Sequence, residues 1–528
     1  MMLRDLPMRG RSPRHARQTI ASIEPLTPFG VRCIECRERI PPAANFCRFC
    51  GRAQPGSRWR PVLRLPPEMS AESTITPSQR RLLAGIALIA LVGLVIAPMG
   101  TATVGIAAAT ALYIAVLAYR LQMFRDALAR PAIVRVSDDE AMAVRDDELP
   151  VYTVLVPAYR EPEVIGRLLE ALDALIYPKD RLDVRILLEE DDVDTLVAAT
   201  RARPGSHVTL VHVPPSLPRT KPKACNVGLA AARGEYVTIY DAEDRPDPLQ
   251  LRRAIVAFRA LPPVVACLQA KLSYHNADQN LITRWFTGEY ELWFGQLLPG
   301  LVRRRAPLPL GGTSNHFRRD LLVAVGGWDA FNVTEDADLG IRLHRLGFRT
   351  EVLDSTTLEE ANSDFVNWVK QRSRWYKGYL QTWLVHMRHP RTLWQELGPR
   401  GFIGFNLFVG GTPAVALLNP IFWSLTALWF LARPEWVQAL FPAWLYYVGM
   451  LSMVAGNAAI TYMAMVSARA SSRPSLVFAA VVQPVYWAMM SVAAIKALVQ
   501  LFSAPSFWEK TAHGLDRPIA DPADLVTA

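Results

Sequence analysis

Hydrophobic and polar positions follow three patterns along the chain, and the first is a pair of long apolar runs. Residues 82–99 and 101–119 contain no charged side chain, and each run is about long enough to span a bilayer. The nearest arginines lie outside the pair, at Arg80, Arg81, Arg120, Arg125 and Arg130. Because positive residues favour the cytoplasmic side of a membrane, the pattern predicts a transmembrane hairpin at residues 81–121 with both ends in the cytoplasm.

The second pattern, in residues 149–361, alternates short apolar runs with amphipathic stretches. The runs VYTVLV, VRILLE, VTLVHV, YVTIY and VVACLQA have the length and the β-branched content of buried strands. Stretches of helical period lie between them. This alternation is typical of a largely parallel α/β sheet.

The third pattern is an amphipathic stretch followed by further apolar runs. Residues 362–400 are rich in Trp, Tyr and Arg, a composition typical of interface helices, and residues 401–503 contain three uncharged runs. Arg469 and Arg473 mark the second connection in this transmembrane region as cytoplasmic. Three crossings would place the C-terminus outside, whereas a break at Pro484 would make the last run interfacial or re-entrant. The sequence therefore leaves open five or six crossings and the side of the C-terminus.

Bulk composition agrees with a membrane protein. The chain has 528 residues, of which 51% are hydrophobic, and a formal net charge of +10. Its arginines concentrate beside the apolar runs and in a basic arm at residues 1–30, which we expect to be disordered. Charge in those places does not predict nucleic-acid binding, and the arm lacks the apolar segment of a secretory signal.

Four of the six cysteines form two CxxC pairs near the N-terminus. These are Cys33, Cys36, Cys47 and Cys50. Two such pairs can place four thiolates around one Zn²⁺ in a segment too small to bury a core. Residues 31–53 are therefore predicted to form a structural zinc ribbon on the cytosolic side, followed by a linker at residues 54–80. The ribbon could bind a protein partner; unpaired surface thiols are the alternative.

Three polar clusters carry the candidate chemistry. An amphipathic helix opens with Glu335, Asp336 and Asp338, YDAED follows the fourth strand, and QRSRW lies in the interface stretch. Carboxylates at a helix N-terminus complement the helix dipole, so capping alone is one interpretation. Ligands of open α/β sheets bind outside the carboxyl ends of the strands, where the first two clusters fall. We therefore expect the three clusters to form one site.

Two further features suit a ligand that carries phosphate. Lys221 and Lys223 stand ahead of a helical pattern, where a bound anion would offset their unfavourable interaction with the dipole; ordinary exposed lysines are the alternative. Asp241 and Glu243 of YDAED could both reach one divalent cation that bridges two phosphates. His316 is interpreted as a structural or acceptor-site histidine rather than a base.

The order of PAYRE, the acidic pair Glu190 and Asp191, TKPKACN, DAED, TED and QRSRW resembles the membrane-embedded family 2 glycosyltransferases, the group of the cellulose, chitin and hyaluronan synthases. The resemblance covers residues 149–514. It implies an α/β GT-A (Rossmann-like) catalytic domain embedded between α-helical transmembrane segments, a UDP-sugar donor and a Mg²⁺ or Mn²⁺ ion. The zinc ribbon is not part of that family's usual core.

The resemblance also implies roles for single residues. Asp336 would be the general base beside Glu335, and Asp241 with Glu243 would hold metal and diphosphate; DAED carries Asp244 one position further, which leaves the second carboxylate open. The donor would contact Ala158, Tyr159, Glu161, Lys221, Lys223 and, at the uracil, Glu190 or Asp191. The diphosphate and the acceptor end would contact Gln371, Arg372, Arg374 and Trp375. FWEKT, within a C-terminal segment of residues 504–528, is similar to the gating segment that closes over the nucleotide, which argues for a cytoplasmic C-terminus.

The chemistry can also be stated without the family. Displacing a diphosphate from an anomeric carbon needs positive charge at the leaving group and a base for the acceptor hydroxyl. One base on the opposite face inverts the configuration, so an α-linked donor would give a β-linked product. Inversion follows from this chemistry, and the resemblance implies a processive synthase of a polysaccharide in the inner or plasma membrane. Two alternatives stay open: single transfer to a lipid-linked acceptor, and a catalytically silent membrane assembly or sensor protein.

Overall fold

The computed structural model describes residues 31–32, 37, 39–40 and 65–511. Two short antiparallel strands, β1 (Val31–Arg32) and β2 (Arg39–Ile40), pair on either side of the first CxxC motif. The four cysteines of the predicted ribbon and the basic arm lie outside the described residues. The zinc ribbon and the disordered arm therefore stay predictions.

Two apolar helices precede the catalytic region where the hairpin was predicted. They are α1 (Pro77–Ile96) and α2 (Pro98–Ala129). Thr76 caps α1 by accepting a hydrogen bond from the Gln79 backbone, and Pro98 begins α2 because proline fits the first turn of a helix, where no N–H partner is needed. The turn therefore lies at Ala97, between the two apolar helices.

A nine-stranded sheet forms the centre of the described chain. Its spatial order is β3-β11-β9-β10-β7-β4-β5-β6, and β8 pairs with β11. The strands are β3 (Ile133–Val134), β4 (Tyr152–Ala158), β5 (Leu182–Glu189), β6 (Val208–Val213), β7 (Tyr236–Ile239), β8 (Arg245–Pro246), β9 (Val265–Tyr274), β10 (Asn315–Arg318) and β11 (Arg349–Glu359). All five predicted strands are present, as β4 to β7 and β9.

The sheet is mixed rather than largely parallel, because β10 and the short β8 run antiparallel to their neighbours. Strands β4 to β7 are parallel neighbours as predicted, but β10 lies antiparallel between β7 and β9. It comes from a polar segment without an apolar run, so the hydrophobic pattern does not reveal it. His316 of β10 is fully buried, 2.8 Å from the Tyr152 hydroxyl and 3.2 Å from Gln250 Oε1. Burial lowers the pKa of His316 to about 3, and its two contacts with buried side chains agree with a structural histidine.

Helices pack on both faces of this sheet. They are α3 (Asp138–Ala143), α4 (Ile165–Asp173), α5 (Val193–Arg201), α6 (Lys221–Ala231), α7 (Gln250–Ala260), α8 (Leu281–Leu292), α9 (Leu298–Arg303), α10 (Arg319–Ala324) and α11 (Glu335–Arg345). A five-residue π-helical turn, Trp293–Leu297, joins α8 to α9. All eight residues of β5 are buried, as expected for a strand covered on both faces.

The remaining helices form the interface and membrane regions. They are α12 (Phe365–His386), α13 (Pro390–Phe405), α14 (Gly411–Leu431), α15 (Glu435–Ala439), α16 (Ala443–Ala470), α17 (Ser475–Val481) and α18 (Gln483–Ser503). A second π-helical turn, Asn406–Gly410, joins α13 to α14. The expected break is present, because α17 ends at Val481 and Pro484 lies in the first turn of α18. Within the described residues, five helical stretches are long and apolar enough to cross a membrane.

Candidate active site

The three predicted polar clusters line one cavity of about 490 Å³. One end of the cavity contains residues of all three clusters: Asp241, Glu243, Glu335, Asp336, Gln371, Arg372, Arg374 and Trp375. From there the cavity continues between α2, α14 and α16, where Tyr113, Trp423 and Asn457 contribute to its wall. The site therefore opens directly into the space between the apolar helices.

The three carboxylates of the YDAED loop have different surroundings: one is hydrogen-bonded within the fold, and two face the cavity. Asp244 is 1% exposed, and its Oδ2 accepts hydrogen bonds from the Asp241 backbone N–H, at 2.8 Å, and from the Thr313 hydroxyl. Burial, together with the charges of Asp241 and Glu243, raises the pKa of Asp244 well above its usual range. Asp241 and Glu243 are left on the cavity wall.

Lys221 and Lys223 have different surroundings. Lys221, the first residue of α6, forms an ion pair with Asp241 and donates to the Gly312 carbonyl at 2.8 Å. Burial alone would lower its pKa, but the carboxylates of Asp241 and Glu335 raise it above the ordinary lysine value. Lys223 is fully buried and pairs with Glu189 at 2.9 Å, so a structural role explains its position without a bound anion.

The donor set at Asp241 fits a divalent cation. The carboxylates of Asp241 and Glu243 face the cavity, and Mg²⁺ and Mn²⁺ prefer oxygen ligands. Asp241 already pairs with one positive charge, the amino group of Lys221. Two protein carboxylates completed by phosphate oxygens and water are typical of magnesium bound with a phosphorylated ligand. Within residues 65–511, no three carboxylate, His or Cys groups form a complete protein cage.

Two of the three acidic residues that open α11 face the cavity. Asp336 Oδ1 accepts a 2.8 Å hydrogen bond from the Ala337 backbone, and Glu335 lies beside it. Burial raises the pKa of Asp336 to about 6, and burial with the Asp336 charge raises that of Glu335 to about 8. Asp338 is instead fully buried against Arg342, at 2.6 Å, and His386, at 3.0 Å. Burial therefore raises the pKa of both carboxylates that face the cavity.

The predicted nucleotide residues gather at the carboxyl ends of β4 and β5. Ala158 is the last residue of β4. The amino group of Lys510 donates hydrogen bonds to the Tyr159 carbonyl and, at 2.8 Å, to Glu161 Oε1. Glu190 and Asp191 follow β5 and are exposed, with Asp191 paired to Arg219 at 2.5 Å. These residues lie beside the cavity wall rather than in it.

Two residues near the nucleotide positions were given no role by the sequence analysis. Asp192 accepts a hydrogen bond from the Arg160 backbone at 2.5 Å and from the Thr195 backbone at 3.4 Å, and so it fixes the turn after β4. Arg219 is the partner of Asp191. Neither lies in a short motif with a chemical role of its own, although Arg219 immediately precedes TKPKACN.

The QRSRW residues of α12 point in different directions. Arg374 donates to the Glu509 carbonyl at 3.1 Å and lies 4.6 Å from the Trp508 ring, so the C-terminal segment bridges QRSRW and the Tyr159 region. Burial lowers the pKa of Arg374, while Glu335 and Asp241 oppose that effect, which places its charge beside the acidic cluster. The side-chain oxygen of Gln371 accepts a hydrogen bond from the Asn362 side-chain amide at 2.7 Å. Arg372 pairs instead with Glu289, outside all predicted motifs.

Comparison with known proteins gives a family match over the central domain. Residues 150–378 match the family model described as "Glycosyltransferase like family 2". Probable glycosyltransferase YdaM of Bacillus subtilis (strain 168) is 28% identical over 234 residues, covering 44% of this chain and 56% of the relative. Beta-monoglucosyldiacylglycerol synthase of Synechocystis sp. is 29% identical over 246 residues, covering 45% and 50%. Probable glucomannan 4-beta-mannosyltransferase 1 of Arabidopsis thaliana is 27% identical over 257 residues, covering 45% and 44%.

The chain thus spans about half the length of the curated relatives it matches. Among solved structures, the mannosyltransferase PcManGT from Pyrobaculum calidifontis, in complex with GDP-Man and Mn²⁺, is 20% identical with a TM-score of 0.47, covering 76% of this chain and 99% of that one. Residues 150–378, which contain most of the mixed α/β sheet, are thus similar in sequence to glycosyltransferase family 2.

Proposed function

We propose that this protein transfers a sugar from a UDP-sugar to the growing end of a β-linked polysaccharide, with inversion at the anomeric carbon. The observation that carries the proposal is the single cavity that joins Asp336 and Trp375 to the space between α2, α14 and α16. An acceptor chain bound at Trp375 would have a path away from the reacting end along that space. Aromatic rings on the wall suit the apolar faces of sugars, and polar groups such as Asn457 suit their hydroxyls.

Each role is assigned to a group that faces the site. Asp336 accepts the proton of the acceptor hydroxyl as the hydroxyl oxygen attacks the anomeric carbon. Lys221 and Arg374 stabilise the negative charge that develops on the departing diphosphate. A Mg²⁺ or Mn²⁺ ion held by Asp241 and Glu243 would supply further positive charge there. Attack on the face opposite the leaving group inverts the configuration.

The position of the C-terminal segment supports a cytoplasmic catalytic domain with both ends of the described chain on its side. The Lys377 amino group donates to the Phe507 carbonyl at 2.8 Å, and Lys510 reaches Tyr159. Tyr486, in the first turn of α18, contacts Arg372 of α12, and Lys496, in the later part of α18, pairs with Glu509. Because both parts of α18 contact the catalytic side, we assign α18 to the interface. This proposal leaves α1, α2, α14 and α16 as the crossings, one fewer than the five helical stretches whose length and composition would allow them to cross.

A second candidate is one transfer to a membrane lipid. Most of the wall between the helices is apolar, with Leu117, Phe422 and Ile460 among its residues, which suits acyl chains as well as sugar faces. Product size distinguishes the candidates. Purified protein in lipid nanodiscs, with and without diacylglycerol, should be supplied with a panel of UDP-sugars and Mn²⁺, and the products separated by length and extracted into organic solvent.

A ladder of β-linked sugars supports the synthase. A single lipid-soluble glycoside supports the lipid transferase instead. If the protein neither transfers nor hydrolyses any sugar nucleotide, the catalytic proposal is wrong and the silent assembly or sensor protein remains. The predicted zinc ribbon is proposed to bind a protein partner, since four thiolates leave no open position for catalysis.

A further inference from the structure

Glu289, which no motif singled out, forms a closed hydrogen-bonded group with residues of two other helices. Its carboxylate on α8 accepts hydrogen bonds from both terminal nitrogens of Arg372 on α12, at 2.8 Å and 2.5 Å. The Tyr486 hydroxyl on α18 donates to Glu289 Oε2 at 2.7 Å and accepts from Arg372 Nη2 at 3.1 Å. A two-point pair of this kind fixes the orientation of the guanidinium plane, which a single contact does not.

The fixed guanidinium lies against the indole of Trp375. Its central carbon is 4.5 Å from the centre of the Trp375 ring, and Phe286 and Trp368 lie at 5.1 Å and 5.4 Å. Tyr290, the neighbour of Glu289 on α8, stacks with Trp375 at 6.1 Å and an interplanar angle of 27°. Trp375 is therefore held by the Arg372 cation and by Tyr290, and both contacts depend on where α8 presents Glu289 and Tyr290.

The two arginines of QRSRW differ in the carboxylates that surround them. The charge of Arg372 is paired with Glu289, whereas Arg374 has Glu335, Asp241 and Asp336 as its charged neighbours. Arg372 is also largely buried. Its guanidinium is thus already occupied by an ion pair, and the charge available to a departing diphosphate is that of Arg374.

We propose that Glu289 is a positioning residue: it fixes Arg372, and Arg372 fixes the plane of the Trp375 indole on which the acceptor sugar stacks. The inference rests on the proposed function, because it takes Trp375 as the contact for the acceptor. It separates two steps that share the site. Transfer to an acceptor needs the indole in place, whereas hydrolysis of the donor by water does not.

Glu289→Gln tests the inference with little change in volume. The amide keeps one acceptor oxygen, but it loses the charge and the two-point geometry. We expect transfer to fall by roughly 10²-fold, the size of effect that a displacement of about 1 Å of a positioning group produces. UDP affinity and hydrolysis of the UDP-sugar without acceptor should be unchanged. Tyr486→Phe, which keeps the ring and removes the hydroxyl, should lower transfer in the same way but less, and it continues the test if Glu289→Gln does not fold.

Glu291→Gln is the matched control. Glu291 lies two residues along the same helix, accepts from the Ser273 hydroxyl at 2.7 Å and is not part of the cavity wall. It should transfer and hydrolyse like the unmodified protein. The inference is overturned if Glu289→Gln and Tyr486→Phe transfer normally, or if transfer and hydrolysis fall together. Absence of transfer by the unmodified protein would instead refute the proposed function, so the two failures are distinguishable.

Discussion

Replacing Asp336 by Asn removes the proposed base while leaving its surroundings in place. The amide has nearly the shape of the carboxylate, and its oxygen can still accept the 2.8 Å hydrogen bond from the Ala337 backbone. The first turn of α11 should therefore persist. An amide cannot take the acceptor's proton, so we expect transfer to fall by roughly 10²- to 10⁴-fold. At about 1.36 kcal/mol per tenfold change, this raises the activation free energy by about 2.7 to 5.4 kcal/mol.

The pH dependence gives the same base a second signature. Burial raises the pKa of Asp336 to about 6, and a base acts only when it has lost its proton. kcat/KM should therefore be high above that pKa and fall as the pH decreases through it. A group of pKa about 6 is about nine tenths ionised at pH 7 and about one tenth at pH 5, so the fall is roughly tenfold. In Asp336→Asn this acidic limb should be absent.

The assay compares initial transfer rates with UDP binding, using the UDP-sugar that the unmodified protein consumes. Glu335→Gln is the informative comparison, because burial and the Asp336 charge raise the pKa of Glu335 to about 8 and an amide resembles its protonated form. That variant should keep most of its activity at pH 7. Normal transfer by Asp336→Asn, or a greater loss in Glu335→Gln, would show that Asp336 is not the base.

Three further predictions concern the metal, the acceptor and the ribbon. Asp241→Ala should abolish the gain in UDP affinity that Mn²⁺ provides, measured by titration with and without the ion; an unchanged gain contradicts the metal assignment. Trp375→Ala should shorten or abolish polymer while UDP-sugar hydrolysis continues, and a parallel loss of both would refute its role as an acceptor platform. Metal analysis of the full chain should find one zinc that is lost when the ribbon cysteines are replaced by serine; a disulfide there would also contradict a cytosolic N-terminus.

A fifth prediction concerns the packing between QRSRW and TED. A side chain added at Gly378 of α12 would place its Cβ about 2.5 Å from Thr334 Cγ2, immediately before Glu335. Gly378→Val should therefore displace the start of α11 and lower transfer more than it lowers UDP binding. Gly288→Val, at a helical glycine with open space around its Cα, is the control. Equal transfer by both variants would show that this contact does not position the base.

The sequence predicted the elements, and it predicted that the three polar clusters would meet at one cavity, because both depend on local patterns. Apolar runs mark the membrane helices and the strands β4 to β7, and the short motifs at the strand ends come together as the topology of an α/β sheet requires. The sequence does not tell which charged residue of a motif faces the site. Lys223 and Arg372 form ion pairs with partners 34 and 83 residues away, and Asp338 is hydrogen-bonded to His386, 48 residues away. Those contacts exist only after the chain has folded.

Strand β10 was missed for a related reason. Its residues are polar, and they are buried because distant groups satisfy them, among them Tyr152 and Gln250 for His316. The hydrophobic pattern cannot record such partners. The same holds for Glu289, which has no local feature that distinguishes it from the exposed glutamates of other helices.

The two π-helical turns lie where a change in chain length would alter the wall of the cavity. Trp293–Leu297 and Asn406–Gly410 meet at the cavity, where the Trp293 and Phe408 rings stack at 4.9 Å. Each turn holds one more residue than regular helix, and an α-helix rotates by about 100° per residue. Loss of a single residue at Asn406–Gly410 would rotate α14 against α13 by about that angle. Different side chains of α14 would then face the cavity. Changes in length at the two π-helical turns would therefore alter the width and the lining of the cavity, while the side chains proposed for catalysis stay the same.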